Sequence, residues 1–173
     1  HIDYSVSPAP AGTAEKSLAL PRQLSFSGDG ETLYIAAKGS DKVGIFAVAE
    51  LESDSFLPNS ADHVHISGGG PAGLIVDEAR GRLYVSSRFD NGISVVDTAL
   101  RQEISHLQLG NPEPAIITTG RRFLYDANLT SSNGEAACAS CHVDGDLDSL
   151  AWDLGDPDGA GENNPLDFAV GPF

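Results

Sequence analysis

The sequence predicts a mainly β fold of small antiparallel sheets, followed by a short segment of different character. Three observations carry this. Short runs of alternating apolar and β-forming residues recur between glycine-, aspartate- and asparagine-rich turns. A Leu-Tyr pair appears at Leu33-Tyr34, again at Leu83-Tyr84 and again at Leu124-Tyr125, with spacings of 50 and 41 residues. The third is Cys138-Ala139-Ser140-Cys141-His142, which holds both cysteines of the chain.

Taken in order, residues 1–17 hold Pro8, Pro10 and Gly12 among small residues and read as a flexible lead-in. The alternating pattern begins near Leu18. Leu24-Ser25-Phe26 is a first strand, and Ser27-Gly28-Asp29-Gly30 is a strong turn signal. Thr32 to Ala37 is the second strand, Gly39-Ser40-Asp41 turns, and Val43 to Val48 is the third. Residues 49–63, acidic and small with Pro58 and Asn59, read as a surface insertion. His63 and His65 alternate with Val64 and Ile66, so the two histidines share one face of a short strand. Gly68-Gly69-Gly70-Pro71 has no lysine at the spacing a phosphate loop needs.

The pattern then returns. Leu74 to Asp77, Arg82 to Ser87, Gly92 to Asp97 and Glu103 to Leu109 read as four strands. Asp90-Asn91-Gly92 makes the hairpin turn between the middle two, because asparagine-glycine accepts the left-handed backbone required. A unit of about 40 residues with four short strands is the signature of a propeller blade. The chain has about two such units and, at Leu124-Tyr125, the expected start of a third.

The segments Phe26 to Ile35, Gly81 to Val85 and Gly92 to Thr98 resemble the YVTN-type β-propeller repeat, over roughly residues 18 to 125. That architecture serves enzymes, binding modules and scaffolds alike. A closed propeller typically has four to eight blades. A further chain, or further sequence of the same polypeptide, is therefore expected to complete it.

Cys138-x-x-Cys141-His142 reads as an attachment site for c-type haem. Two thiols two residues apart can each form a thioether to the porphyrin edge, and the adjacent imidazole can take the iron as proximal ligand. The rival readings are a redox dithiol, a structural zinc corner, or chance. A dithiol needs no adjacent histidine. A structural zinc site needs four ligands, and no second cysteine pair exists. The sequence contains no methionine, so the candidates within the chain for the sixth iron position are His1, His63, His65 and His106. Trp152 is a candidate haem-contacting residue, since a large flat side chain can cover a porphyrin edge. Asp144, Asp146 and Asp148 alternate like calcium-loop ligands, with Asp156, Asp158 and Glu162 further on. The position twelfth from Asp144 is Gly155, so the run is no EF-hand. A solvated acidic loop is the default there and calcium the subordinate expectation.

The run from Arg121 through the haem motif to Gly155 resembles the start of the cytochrome domain in propeller–cytochrome fusions, which is similar to the di-haem cytochrome c peroxidase and MauG-like group. The resemblance implies a mainly β chain of partial propeller blades (18–120) followed by the start of a small helical cytochrome c domain (121–173). It implies that Phe123 to Ala127 enters the first cytochrome helix, and that the protein is periplasmic or extracellular. A peroxidase of that group carries a second attachment motif; this sequence has one, and the polypeptide is expected to continue past Phe173.

Composition narrows the partners. The 25 acidic residues against 10 lysines and arginines give a formal charge of -15. Such a surface repels nucleic acid and anionic membranes, and favours a basic redox protein or cations. No run of 18 apolar residues is present to span a membrane. The chain has neither an initiator methionine nor a basic leader followed by an apolar run, so it reads as mature or truncated. Three functions follow from these readings: an exported mono-haem electron carrier, a haem enzyme of the peroxidase kind, and a propeller binding module in which haem is structural.

Overall fold

The computed structural model describes residues 2–6 and 9–147. The chain divides into two compact units that meet between Cys141 and His142. The first holds two four-stranded antiparallel sheets, each an up-and-down meander in which sequence neighbours pair in order. That is the topology of a propeller blade.

Blade 1 runs β1 (Pro21–Phe26), β2 (Thr32–Ala37), β3 (Lys42–Ala47) and β4 (His63–His65). Blade 2 runs β5 (Pro71–Asp77), β6 (Arg82–Ser87), β7 (Gly92–Asp97) and β8 (Gln102–Gln108). The two are built to one plan. Each opens on a proline, and each first pair shifts register at the same place, between Pro21 and Gln23 in one and between Pro71 and Gly73 in the other. Proline cannot donate to a ladder, so it suits the start of a strand. Asp41 and Asn91 end the corresponding second turns, both with left-handed backbone at φ 53° and 59°.

The Leu-Tyr pairs of β2 and β6 occupy matching places, with Leu33 opposite Phe46 and Leu83 opposite Val96. Opposite members meet the other blade, because successive side chains of a strand point to opposite faces, although Leu33 is buried as well as Tyr34. Tyr34 faces blade 2 together with Ala36, Val43, Ile45 and Val64, whereas Leu83 faces blade 1 together with Leu74, Val85 and Val96. These residues interlock as the main core. Burying each large aliphatic side chain contributes about 1.5–3 kcal/mol.

The insertion between β3 and β4 folds back on blade 1. It contains α2 (Val48–Glu52) and a short turn at Ser60–Asp62, where the Asn59 side chain accepts from the Ala61 N–H. Phe56 meets Phe46 edge-on, with ring centroids 5.2 Å apart. Within the lead-in, α1 (Thr13–Lys16) forms one turn, and Ser17 after it is fully buried.

The third Leu-Tyr pair differs from the expectation of a third blade. Leu124-Tyr125 lies at the end of a helix, α3 (Ala115–Tyr125), and does not begin a third blade. Pro114 precedes the helix where its missing N–H costs nothing. The apolar residues 116, 117, 123 and 124 then gather on one side at helical spacing, and period overrides the dipeptide. A short helix, α4 (Ala127–Thr130), follows, capped by the Asp126 carboxylate, which accepts from the Asn128 N–H. Among the described residues no helix is long and apolar enough to cross a membrane.

Candidate functional site

Cys138 opens a single turn of 3₁₀ helix, Cys138–Ser140, and Cys141 caps its C-terminal end, its N–H donating to the Cys138 carbonyl at 3.2 Å. Ser140 steadies its entry: the Oγ accepts from the Ala137 N–H at 3.1 Å, and the Ser140 N–H donates to the Ala137 carbonyl at 2.8 Å. The Cys141 N–H bond sets that residue one tight turn on from Cys138. Cys138 is exposed, Cys141 half-buried, and both are free thiols. Ala139, between them, is buried. A pair of unbridged thiols at the two ends of one tight turn fits double thioether attachment.

Small residues hold this turn to blade 1. Ala19, Ala127 and Ala137 form a buried cluster joined by Leu20. Gly39 completes it: a Cβ there would lie 2.9 Å from the Ala19 Cβ and 3.1 Å from the Tyr125 carbonyl oxygen. The Ala19 N–H donates to Ser40 Oγ at 2.7 Å, and the Gly39 N–H to the Ala19 carbonyl at 3.0 Å. The lead-in adds a clasp, since the buried Ser17 hydroxyl lies 2.7 Å from the Asn133 carbonyl and 2.8 Å from that of Thr13. The loop before the thiols is tied internally by Ser131, which donates to Glu135 and accepts from the Gly134 N–H.

Two consecutive arginines anchor α3, and the sequence reading assigned them no role. Arg121 donates to the Arg88 carbonyl of blade 2 at 2.8 Å and pairs with Glu113 at 2.6 Å. Arg122 turns to blade 1. Its Nη2 donates to Asp41 at 2.9 Å and to Asp126 at 3.0 Å, and its Nε also reaches Asp126. Asp41 in turn accepts from the Gly70 N–H at 2.7 Å, where blade 2 begins. Burial pushes the Asp41 carboxyl above its ordinary pKa, against the opposing pull of the Gly70 N–H and of Arg122. The Lys38 ammonium lies 3.3 Å from the centroid of the Tyr125 ring, a cation–π contact. The available signal was an arginine pair in an acidic chain and an aspartate in a turn. Neither names its partner, which is 81 residues away.

His142 opens the second unit. It is exposed, and its Nδ1 lies 3.1 Å from the Asp146 carbonyl oxygen. That carbonyl can only accept, so Nδ1 is the donor of this bond, and in the neutral imidazole Nε2 is the nitrogen left to ligate a metal. The tight return is made by Asp144 and Gly145 at φ 56° and 82°. An imidazole oriented by a backbone carbonyl and unprotonated at Nε2 is the form that ligates iron.

The other histidines separate by their partners. His106 is engaged at both ring nitrogens, by Ser94 at 2.9 Å and Asp90 at 2.6 Å, and Ser87 donates to the same Asp90. That network pins β8 to the rest of blade 2 and leaves His106 no nitrogen for a metal. His63 is half-buried on β4 with Nδ1 3.2 Å from the Glu15 carbonyl, and His65 is exposed on the same strand. Burial holds the His63 pKa below its ordinary value, with the Lys42 charge adding to the effect. His1 and Trp152 lie outside the described residues, as do Asp148, Asp156, Asp158 and Glu162 of the acidic run. Among the described residues no group of three or more His, Cys, Asp or Glu is placed to hold a metal ion.

No protein-family model matches the chain, and no curated protein matches it. Solved structures similar to it include hydrazine synthase of Kuenenia stuttgartiensis, at 24% identity over 54% of this chain and 24% of that one, with TM-score 0.46. A periplasmic gluconolactonase of Pseudomonas aeruginosa matches at 18% identity over 61% of this chain and 32% of its own, with TM-score 0.47. A structure described as a 6-phosphogluconolactonase of Bacteroides fragilis matches at 15% identity over 53% of this chain and 28% of its own, with TM-score 0.43. The chain spans about a quarter to a third of the length of these structures.

Proposed function

We propose that this chain is a c-type haem protein that carries electrons outside the cytoplasm, with the two blades as scaffold and docking surface. The observation that supports it most directly is the thiol turn: Cys138 and Cys141, the sequence's two cysteines, are unbridged at the two ends of one tight turn, with His142 next along the chain. In this reading Cys138 and Cys141 hold the porphyrin edge by thioethers and His142 Nε2 takes the iron. The haem supplies one-electron redox chemistry, while the protein sets ligation, exposure and potential.

The chain's own groups each have a defined task. The Asp146 carbonyl holds the proton on His142 Nδ1 and so fixes the tautomer. The alanine cluster and the Ser17 clasp hold the thiol turn to the scaffold. The net charge of -15 steers a basic redox partner at low ionic strength. The finer family reading, a propeller–cytochrome fusion of the cytochrome c peroxidase and MauG-like kind, belongs to the same proposal. A single attachment motif favours electron carriage over peroxide reduction for these 173 residues.

Intact mass under denaturing conditions tests attachment, with a gain of one haem expected for material made in an oxidising compartment with haem-attachment machinery. A mass equal to the bare polypeptide sinks the proposal. Stopped-flow mixing with hydrogen peroxide and with an artificial electron acceptor then separates the functions. Fast exchange with the acceptor and no peroxide turnover supports the carrier; rapid peroxide turnover with a high-spin ferric spectrum assigns the enzyme instead.

A further inference from the structure

Helix α3 carries an apolar stripe that its own unit leaves uncovered. Thr118, Arg121 and Tyr125 are partly buried, Arg121 against the Arg88 carbonyl and Tyr125 against Lys38. On the adjacent flank lie the exposed Ile116, Ile117, Gly120 and Phe123, within an arc of about 120° at 3.6 residues per turn, with the partly buried Leu124 among them. Ile116 is 79% exposed, Ile117 52% and Phe123 66%. Gly120, in the middle of the stripe, has nothing within 4 Å of the position its Cβ would take. A stripe of this width normally marks a helix face packed against an apolar partner.

The position of the stripe points to its partner. Helix α3 lies alongside the Cys138–Ser140 turn within the same compact unit. A haem tethered at Cys138 and Cys141 cannot leave that neighbourhood, and its faces are among the largest flat apolar surfaces a protein binds. Ala137 and Ala139 at the turn are buried and too small to cover it. We propose that the Ile116–Gly120–Phe123 stripe of α3 is a wall of the haem site, with the glycine leaving a flat gap between two large side chains. This rests on the haem reading above.

The whole chain is produced with covalent haem, as parent, as Ile116→Ser/Phe123→Ser, as Phe123→Leu and as Ile75→Ser, the last an equally exposed aliphatic change in blade 2. The residues changed are exposed, so far-ultraviolet circular dichroism should be unchanged throughout. Intact mass reports attachment; circular dichroism in the haem absorption band and the midpoint potential report surroundings. The stripe predicts equal haem per chain in all four. It predicts at least a twofold loss of haem-band dichroism and a lower potential in the double serine variant, as water reaches the porphyrin. Phe123→Leu should keep most of the signal and Ile75→Ser all of it. Equal haem with parental dichroism and potential in the double variant overturns the wall alone, and assigns the stripe to another protein surface. Absence of covalent haem from the parent overturns the haem reading and the wall together.

Discussion

The Arg122 guanidinium on α3 lies 2.9 Å from the buried carboxylate of Asp41, which ends the second turn of blade 1. Asp41 also accepts from Gly70, and Arg122 also holds Asp126, so one ion pair ties both blades to the segment that leads to the thiols. Arg122→Ala leaves two buried carboxylates without their shared cation, Asp41 and Asp126. The expected cost is about 1–3 kcal/mol, reduced because the arginine itself is half exposed. Arg122→Lys should recover only part of it, since an ammonium cannot reproduce the fork that serves two carboxylates. Chemical denaturation of the three proteins gives the comparison, and a cost below 0.5 kcal/mol, on the order of an ordinary surface change, would count against the clamp.

The inter-blade core makes a second prediction. Leu83 is fully buried against blade 1, and Leu83→Ala should cost about 2–5 kcal/mol by lost burial and the cavity left behind. Ile75, on the opposite face of blade 2, is 68% exposed, and Ile75→Ala should cost less than about 0.5 kcal/mol in the isolated chain. Urea midpoints at constant slope decide between this ranking and its reverse.

The same asymmetry makes a third. Tyr34 is 6% exposed because blade 2 covers it, while its counterpart Tyr84 shares an open face with Ile75, Ile93 and Leu107. By the repeat, that face is where a further blade would stack. It should bind a fluorescent apolar dye, and Ile75→Asp with Ile93→Asp should abolish most of the emission. Unchanged emission in the double variant places the dye elsewhere.

His63 gives a pH dependence. Its folded pKa lies below its unfolded value of 6.5, chiefly because burial disfavours the imidazolium. Between the folded pKa and 6.5 the unfolded chain therefore binds more protons. Its contribution is fully present above 6.5 and is lost as pH falls through that window. His63→Gln should flatten the loss of thermal stability between pH 7 and 5. An identical slope in the variant would show that other groups carry it.

Gly145 is the fifth test. Its φ of 82° belongs to the left-handed region, and it sits within the return that brings the Asp146 carbonyl to His142 Nδ1. Gly145→Val should strain that return and loosen the imidazole. In the haem-loaded protein this predicts a shifted iron–histidine stretching band by resonance Raman, with Gly145→Asn, which tolerates the conformation better, closer to the parent. No shift for valine would mean that the carbonyl does not orient the ring.

The strands, their order and the thiol motif were legible from residues alone. Alternation and turn chemistry are local, and a 50-residue spacing carries Pro21 onto Pro71, Leu33 onto Leu83 and Asp41 to the place of Asn91. The Cys-x-x-Cys-His pattern is legible because its groups are covalent neighbours. The repeated dipeptide misled at Leu124-Tyr125, where it suggested a third blade and the helical spacing of 116, 117, 123 and 124 prevailed, while the resemblance had implied a helix entered at Phe123. Tertiary structure alone decided which member of each Leu-Tyr pair meets the other blade, since alternation assigns two faces without saying which one meets a neighbour. It also decided that Asp41 meets Arg122, that Ala19 and Gly39 seat the thiol turn, and that His106 is consumed by Asp90 and Ser94. Those contacts join residues far apart in sequence, and they form only when the sheets have stacked and brought their turns to one place.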